Sequence, residues 1–542
     1  MAWIRHAVAH LTDRAYDAAS LILLVAASLV ASLTFDHYGV TWDEGRQYTY
    51  GELVLEYYLS GLSDLRALEY RNLHLYGAGF DLPAALWVRL VPLEIFQARH
   101  LLNVLVGLLG VVGAWKVGRV LGGPRTAFVA ALLLLVTPRW WGHGFNNPKD
   151  IPFAAAHVWA VYYLVCFVRE LPHPRRSIAV RLGIAAGLCL AVRVGGLLVI
   201  GYLLAALFVH LARLGWRSRH WSPLWRGVRE LIPGLGLVLA VAWPLMLLFW
   251  PWAQRGPVTR PFAALAEVSR FQEDFEAVTL FAGRNVDITA LPPTYTPHWL
   301  AITLPEPILL LLLFGAGLGV WRLTRTATAA EPSLAAPVIL IGAALFPLLY
   351  FAVRGSVLYD GMRHSLFVVP PLVCLAASTF DWMLATLARR SRAYAIGLAA
   401  AGGLYLASHL TLLAQLHPLE QVYFNQLVGG LPGAYGRYET DYWGTSYREA
   451  VAELTRYLEA EAGGSPPATY RVAVCSSPLS SVTFFPPYLR WIRDPVLADF
   501  FVATTRFDCH RRVDGEIVAV VERFGVPLSI VRDRRGITGA AR

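Results

Sequence analysis

Residues 15–33 of the chain read AYDAASLILLVAASLVASL, an apolar stretch long enough to cross a bilayer as an α-helix. TFDH follows at 34–37, and Trp42, Asp43 and Glu44 come next, so two adjacent acids lie about one helical turn beyond a membrane boundary. A carboxylate at such an interface can be tuned by the low dielectric while water and polar substrates still reach it. Asp43 and Glu44 are therefore candidate catalytic acids, and the alternative is that they only cap a helix.

The composition is that of a membrane protein. Hydrophobic residues make up 56% of the chain and charged residues 15%, whereas soluble proteins have about 25% charged residues. The net charge is +10, which raises the question of nucleic-acid binding. The arginines cluster in short loops between apolar runs, however, and this pattern reports membrane topology. We therefore expect no nucleic-acid partner, and we expect membrane lipids around most of the chain.

The apolar runs predict an all-α polytopic membrane protein with about eleven transmembrane helices. The predicted spans are residues 18–35, 98–121, 125–140, 152–168, 178–192, 194–213, 230–251, 300–321, 335–353, 364–387 and 394–414. Residues 75–91 are only moderately apolar and are predicted to lie at the outer interface without crossing. The arginine-rich loops then all fall on the side of the N-terminus, which the positive-inside tendency assigns to the cytoplasm.

Two domains are predicted. Residues 1–414 form the transmembrane catalytic domain, with external loops at 36–97, 141–151 and 252–299. Within the last of these loops, residues 260–275 have the spacing of an amphipathic helix on the membrane surface. Residues 415–542 form a small external α/β domain, with a helix at 445–462 and strands at 471–475, 499–505, 516–522 and 527–532.

A second group of polar residues lies in the loop 141–151, where the chain re-enters the membrane. It contains Asn146-Asn147-Pro148 followed by Lys149 and Asp150. Asp150 has the position of a helix N-cap, which is the structural alternative to a catalytic role. Capping does not explain Lys149, so we take both residues as candidates for the functional site.

Arg363 and His364 lie at a third membrane entry on the same predicted side. The positive-inside tendency disfavours arginine there, so Arg363 calls for a partner. A lipid-linked phosphate suits a guanidinium, which binds such a group with a bidentate fork. The alternative is a salt bridge to Asp360 or to another acid of these loops.

Three further candidates are less specific. Arg99 begins the second span and Arg193 falls at an external turn, where both side chains can simply snorkel to the interface. His74 precedes the interfacial segment, and a lone histidine is more often a hydrogen-bonding residue than a metal ligand. The sequence predicts no metal site and no certain cofactor, and it leaves a divalent metal open. Cys475 and Cys509 both lie in the external domain, where thiols oxidise, and are predicted to form a disulfide.

These residues, in this order and on one side, resemble the C-type membrane glycosyltransferases over most of residues 15–415. The branches that they resemble are the protein O-mannosyltransferases and the lipid A aminoarabinose transferases, with their bacterial relatives. The elements that carry the resemblance are the Asp-Glu pair of the first external loop, the interfacial helix after His74, Arg99 with Asn103 one turn later, the Pro-Lys-Asp of the second loop and the run Arg363-x-x-x-Phe-x-x-Pro-Pro.

The resemblance implies an inverting glycosyltransferase in a bacterial plasma membrane. Such an enzyme moves a sugar from a polyprenyl-phosphate carrier to a hydroxyl of a protein, glycan or lipid acceptor on the external face. By position, Asp43 matches the base, Glu44 its neighbour and Asp150 the second-loop acid. Carrier-phosphate binding is implied for Arg99 and Arg363. We assign the same expected role to Lys149, Arg193, His364 and His74.

Two departures and two alternatives accompany this interpretation. The family's His-Pro-Pro-Leu or Lys-Pro-Pro-Leu stretch is replaced by NLHLY at 72–76, and the C-terminal segment differs from the β-trefoil of eukaryotic protein mannosyltransferases.

A transporter or lipid flippase is the second hypothesis, but it would place charged groups midway across the membrane at broken helices. A non-catalytic assembly protein with a partner-binding tail is the third.

Overall fold

The computed structural model describes residues 2–218, 221–270, 278–325 and 335–538. The helices before the first strand are α1 (Ala2–Thr34), α2 (Trp42–Leu59), α3 (Asp81–Leu90), α4 (Ile95–Gly122), α5 (Pro124–Leu135), α6 (Pro138–Asn146), α7 (Asp150–Arg169), α8 (Arg176–Val192), α9 (Leu197–Ser218), α10 (Trp221–Leu248), α11 (Pro251–Gln254) and α12 (Thr259–Arg270). A hairpin of β1 (Val278–Phe281) and β2 (Arg284–Asp287) precedes α13 (Tyr295–Thr303), α14 (Glu306–Arg325), α15 (Ala335–Arg354), α16 (Val369–Arg390) and α17 (Arg392–Leu416). Runs rich in leucine and alanine favour these helices, because a backbone in lipid must satisfy its own hydrogen bonds.

The chain is a multi-pass membrane protein, as predicted. Eight described stretches are helical, long and apolar enough to cross a membrane: Asp13–His37, Ile95–Gly122, Asp150–Arg169, Val194–Gly215, Leu224–Leu248, Ala335–Arg354, Arg363–Arg390 and Arg392–Leu416. The count of eleven is not confirmed, because the three other predicted spans correspond to apolar helical stretches shorter than 18 residues: Pro124–Leu135, Arg176–Val192 and Glu306–Trp321. The predicted span 125–140 breaks between α5 and α6, and the span 300–321 breaks between α13 and α14. Both breaks fall at a proline, Pro138 and Pro305, which cannot continue the helical hydrogen bonds.

Two predicted interfacial segments form short helices. Within residues 75–91, α3 has ten residues and is therefore about 15 Å long, half the thickness of the hydrocarbon core. Within residues 260–275, α12 covers Thr259–Arg270, and residues 271–277 lie outside the described part of the chain.

Close packing between α4 and α7 places the start of α7 beside the other membrane-entry loops. Gly110 and Gly113 lie one turn apart on the face of α4 that contacts α7. A Cβ at Gly113 would lie 2.7 Å from Val158, and one at Gly110 would lie 3.3 Å from the backbone of Ala155. Small residues therefore let the two helices approach closely, as is usual between membrane helices.

The C-terminal region is the predicted small α/β unit. Its elements are α18 (Gly430–Ala434), α19 (Tyr447–Ala462), β3 (Tyr470–Val474), α20 (Leu479–Val482), β4 (Leu489–Trp491), β5 (Phe500–Thr504), β6 (Glu516–Arg523), β7 (Val526–Asp533) and α21 (Arg535–Thr538). The sheet order is β4-β3-β5-β7-β6. Strands β4, β3 and β5 are parallel, whereas β7 runs antiparallel to both β5 and β6. The short strand β4 was not expected, because three residues carry too little alternation to detect.

This C-terminal unit packs directly on the segment that leads into α2. A Cβ at Gly39 would lie 2.1 Å from the carbonyl oxygen of Thr445, and one at Gly45 would lie 2.4 Å from the side chain of Leu479. The glycines permit a contact that a larger residue would prevent. The C-terminal unit is therefore seated on the helix start that carries Asp43.

The predicted topology has a direct test in cysteine labelling. Single cysteines at Ser218, where α9 ends, and at the exposed Ser465 are expected to react with an impermeant maleimide from opposite sides of the membrane. The background would carry alanine at Cys166, Cys189 and Cys374, and the unmodified background serves as the control. Labelling of both positions in intact cells would contradict the topology.

Candidate active site

The two acids that begin α2 have different surroundings. Glu44 forms a capping box with Thr41: its Oε2 accepts a hydrogen bond of 2.8 Å from the Thr41 backbone N–H. Its other oxygen lies 2.9 Å from His100 Nε2, and the side chain is only 1% exposed. The capping alternative therefore describes Glu44, whose contacts are all with the protein interior. Asp43 is the acid with access to solvent, since 29% of its side chain is exposed.

Asp43, at the start of α2, pairs with Arg363, which lies between α15 and α16. Arg363 Nη1 donates to Asp43 Oδ2 at 3.1 Å, and Arg363 Nη2 lies 3.2 Å from Asp360 Oδ2. The guanidinium also stacks on the rings of Tyr359 and Trp443, at 4.8 and 5.3 Å from their centroids. The salt bridge from Arg363 to Asp360 that was considered from sequence is therefore present, and Arg363 reaches Asp43 as well.

Asp150 begins α7 and pairs with Arg193. Its second oxygen accepts a hydrogen bond of 2.9 Å from the Asn147 amide. The Asp150 side chain is 4% exposed and that of Arg193 is 19% exposed. Because the carboxylate is already held by these two groups, its contacts suit an electrostatic role better than that of a free base.

Tyr76 lies between the two acid–arginine pairs. Burial raises the pKa of its hydroxyl, and the charges that act on it come from Arg193, Arg363, Asp150 and Asp43. Arg193 lies 5.9 Å from the centroid of the ring, and Arg363, Asp150 and Asp43 lie within electrostatic reach of the hydroxyl. We refer to Asp43, Asp150, Lys149, Arg193 and Arg363 as the Tyr76 cluster.

Lys149 is the member of the Tyr76 cluster that lacks an acidic partner. Its ammonium lies 3.9 Å from the centroid of the Tyr76 ring, and no ion pair within 4.0 Å in the described part of the chain includes it. With the Gln47 amide oriented to satisfy its neighbours, Gln47 accepts from Lys149 at 3.2 Å and donates to Asp81 at 2.5 Å. Burial lowers the pKa of Lys149 to about 8, and the nearby charge of Arg193 adds to this shift.

Arg99 lies behind this cluster and not in it. Its Nη2 donates to Asp81 Oδ1 at 2.8 Å, and the two side chains are 1% and 6% exposed. Burial raises the pKa of Asp81, and the Arg99 guanidinium opposes that shift. The expected role of Arg99 in binding a carrier phosphate has no support in these contacts, because the guanidinium is enclosed and already neutralised.

We expect Arg99→Ala to destabilise the protein by about 3–5 kcal/mol, because it leaves the Asp81 carboxylate buried without its partner. Thermal unfolding in detergent measures this effect. The matched control is the double variant Asp81→Asn/Arg99→Met, which removes both charges and should recover most of the lost stability. Unchanged stability of Arg99→Ala together with lost carrier binding would restore the role expected from sequence.

The two histidine candidates differ in position. His364 follows Arg363, lies edge-on to Tyr359 with 4.8 Å between ring centroids, and is within electrostatic reach of Asp150. His74 lies apart: its Nδ1 contacts the Arg71 carbonyl oxygen at 2.6 Å, and its ring packs edge-on against a tryptophan of α11. His74 therefore has a structural contact, whereas His364 borders the Tyr76 cluster.

Sequence reasoning missed the groups that enclose the cluster, namely Tyr76, Trp443 and Arg506. Arg506 lies 2.7 Å from Asp360 Oδ1, which brings the C-terminal unit into the site. The motif Asp441-Tyr442-Trp443-Gly444 of the tail is the sequence feature that could have indicated Trp443. No group of three His, Cys, Asp or Glu side chains is arranged as a metal site in the ranges that the structure describes.

The model of a known protein family matches part of the chain. Residues 83–250 match the family described as dolichyl-phosphate-mannose-protein mannosyltransferase, and no curated protein matches the sequence. The matched range contains Arg99, Lys149, Asp150 and Arg193 and ends before Arg363. The predicted resemblance to C-type membrane glycosyltransferases is thus confirmed, as a resemblance, over this part of the chain.

Solved structures of membrane glycosyltransferases are also similar to the chain, at low identity. ArnT from Cupriavidus metallidurans bound to undecaprenyl phosphate is 18% identical, with 94% of this chain and 97% of that chain covered and a TM-score of 0.48. The oligosaccharyltransferase AglB from Archaeoglobus fulgidus, in complex with an inhibitory peptide and a dolichol-phosphate, is 12% identical, with 90% and 69% covered and a TM-score of 0.49. The arabinofuranosyltransferase AftD from Mycobacteria is 13% identical, with 94% and 41% covered and a TM-score of 0.39.

Proposed function

We propose that the chain is an inverting glycosyltransferase that moves a sugar from a polyprenyl-phosphate carrier to an acceptor hydroxyl at the external face of the membrane. One observation carries this proposal: a partly exposed carboxylate, Asp43, lies against Arg363 and within electrostatic reach of Lys149. A base for the acceptor and cations for the departing phosphate are the two elements that such a reaction needs.

The charge balance of the Tyr76 cluster supports an anionic ligand. Three cations, Lys149, Arg193 and Arg363, face two acids, Asp43 and Asp150. Asp150 neutralises Arg193, and Asp43 is shared with Arg363. Arg363 also has Asp360 at 3.2 Å, so Lys149 is the cation of the Tyr76 cluster without an acid within 4.0 Å, and its positive charge is available for a phosphate.

The chemistry follows from these positions. The oxygen of the acceptor hydroxyl attacks the anomeric carbon while Asp43 takes the hydroxyl proton. The bond between the anomeric carbon and the carrier phosphate breaks. Arg363 and Lys149 stabilise the charge that develops on the departing phosphate. A single displacement inverts the anomeric centre and requires no enzyme nucleophile.

The transporter alternative predicts a different arrangement. It would place charged groups midway along interrupted helices, whereas the charged residues of the cluster lie at helix ends. Asp43 is the second residue of α2, Asp150 begins α7, and Arg363 opens the helical turn before α16. We therefore retain transfer as the proposed function.

Two measurements test the proposal on the purified full-length protein. Native mass spectrometry with added undecaprenyl phosphate should show a bound lipid, and incubation with a panel of undecaprenyl-phosphate-linked sugars should release the carrier with inverted product stereochemistry by NMR. Binding without release of carrier from any donor, together with lipid or solute flux in vesicles, would contradict transfer.

The titration of Lys149 predicts a pH dependence of carrier binding. The pKa of Lys149 is lowered to about 8, so its positive charge is present below that pH and is lost as pH rises through it. We expect the dissociation constant for undecaprenyl phosphate to increase about tenfold between pH 7 and 9. Lys149→Arg keeps its charge over this range and should flatten the profile. An equally steep profile in Lys149→Arg would show that another group titrates.

A further inference from the structure

Arg506 reaches from the C-terminal unit into the candidate active site. Its Nη2 lies 2.7 Å from Asp360 Oδ1, and its Nη1 donates to the Tyr442 carbonyl oxygen at 2.7 Å. The same guanidinium stacks over the ring of Trp42, 5.1 Å from the centroid, and Trp42 immediately precedes Asp43. One side chain, 7% exposed, thus contacts both the start of α2 and the loop before α16.

Asp360 is shared between two arginines. Its Oδ1 faces Arg506 and its Oδ2 lies 3.2 Å from Arg363, with the carboxylate 2% exposed. A carboxylate that is held on one side by Arg506 attracts Arg363 less strongly on the other. Arg363 is then able to face Asp43 at 3.1 Å. Without Arg506, Asp360 would draw Arg363 away from the Tyr76 cluster.

The sheet of the C-terminal unit holds Arg506 in this position. Strands β3 and β5 are parallel, so their carboxyl ends lie at the same edge of the sheet. The Tyr447 hydroxyl joins these ends, because it donates to the Cys475 carbonyl oxygen at 2.8 Å and accepts from the Thr504 N–H at 3.0 Å. Arg506 begins the turn that follows β5.

The turn that contains Arg506 has an unfavourable backbone conformation. Phe507 and Asp508 have φ of +53° and +50°, a region that residues with side chains rarely adopt. The turn contains Cys509, which is joined to Cys475 in a disulfide with 6.3 Å between the Cα atoms. The disulfide ties the turn to the residue that follows β3.

We propose that Arg506 is a positioning residue of the candidate active site and that the disulfide between Cys475 and Cys509 fixes it there. Its effect on carrier binding rests on the proposed function, through Arg363, whereas its effect on the loop at 354–364 does not. The C-terminal unit then completes the site by aligning the start of α2 with the loop before α16.

Hydrogen–deuterium exchange of the loop 354–364 separates these effects. We expect Arg506→Met to accelerate exchange in this loop and to weaken binding of undecaprenyl phosphate about tenfold. Arg506→Lys keeps the charge and should give a smaller change in both measurements. The matched control is Arg511→Met in the same turn, whose side chain is 73% exposed and which should behave as wild type. Cys475→Ser/Cys509→Ser should change exchange in the same direction as Arg506→Met.

Each outcome decides the proposal. Unchanged exchange of the loop 354–364 in both Arg506→Met and Arg506→Lys would overturn the positioning role. Unchanged exchange in the double serine variant would overturn the role of the disulfide. If Arg506→Met does not fold, exchange of the loop 354–364 in Arg506→Lys tests the positioning role in its place. A wild-type protein that binds no undecaprenyl phosphate, with exchange still accelerated in the Arg506 variants, would reject the proposed function and retain the positioning role.

Discussion

Asp43→Asn is expected to abolish sugar transfer while leaving the binding of undecaprenyl phosphate largely intact. A general base in this position contributes about 10²–10⁴-fold to the rate, and an asparagine amide cannot accept the proton of the acceptor. Binding should survive because Asp43 is itself an anion. Its neutralisation frees the Arg363 guanidinium, 3.1 Å away, to contact a phosphate, so the affinity for the carrier should be equal or higher.

The measurement compares kcat with the dissociation constant of undecaprenyl phosphate in the same preparation. Asp36→Asn is the matched control, because Asp36 lies in the same loop, is 46% exposed and is paired only at 4.0 Å with His37. It should change neither quantity. A loss of carrier binding in Asp43→Asn that parallels the loss of rate would show that Asp43 organises the site and does not act as its base.

Glu44 provides the contrasting case and shows what sequence could predict. Both acids follow an apolar span, and sequence places both at a membrane edge. Which of them faces solvent depends on the contacts of Thr41 and His100, and the second of these comes from α4. Local pattern therefore located the pair, whereas tertiary packing decided that Glu44 is a cap and Asp43 a candidate base.

Arg99 and Arg506 also show that the sequence does not predict contacts between distant residues. Arg99 was a candidate site residue but lies behind the Tyr76 cluster, whereas Arg506 was not a candidate and contacts the site. The resemblance implied carrier-phosphate binding for Arg99, and its position at the start of a span also allowed snorkelling, whereas in the structure it pairs with Asp81, 18 residues earlier. Arg506 follows the apolar strand β5, and nothing local indicates that it contacts Asp360. Apolar periodicity is a local property of the sequence, and it predicts the helices and the α/β unit. Ion pairs between distant segments are not a local property, so the periodicity does not predict them.

Arg363→Ala is expected to weaken carrier binding before it affects the chemical step, the reverse of the pattern for Asp43→Asn. The guanidinium is 7% exposed and lies between Asp43 and Asp360, so a phosphate that approaches it meets a preorganised cation. Truncating such a group typically costs about 2–5 kcal/mol, which corresponds to a loss of affinity of about 30-fold or more. The Michaelis constant for the lipid-linked donor should rise accordingly.

The fold should tolerate this substitution, which makes the result interpretable. Asp360 retains Arg506 at 2.7 Å, and Asp43 is open to water, so neither acid is left buried without a partner. Arg363→Lys keeps the charge but loses the fork and should bind with intermediate affinity. Arg354→Ala, at an exposed position before the same loop, is the control that should bind as wild type does. Wild-type affinity of Arg363→Ala for undecaprenyl phosphate would mean that the carrier phosphate binds elsewhere, and the Tyr76 cluster would then lose its assigned ligand.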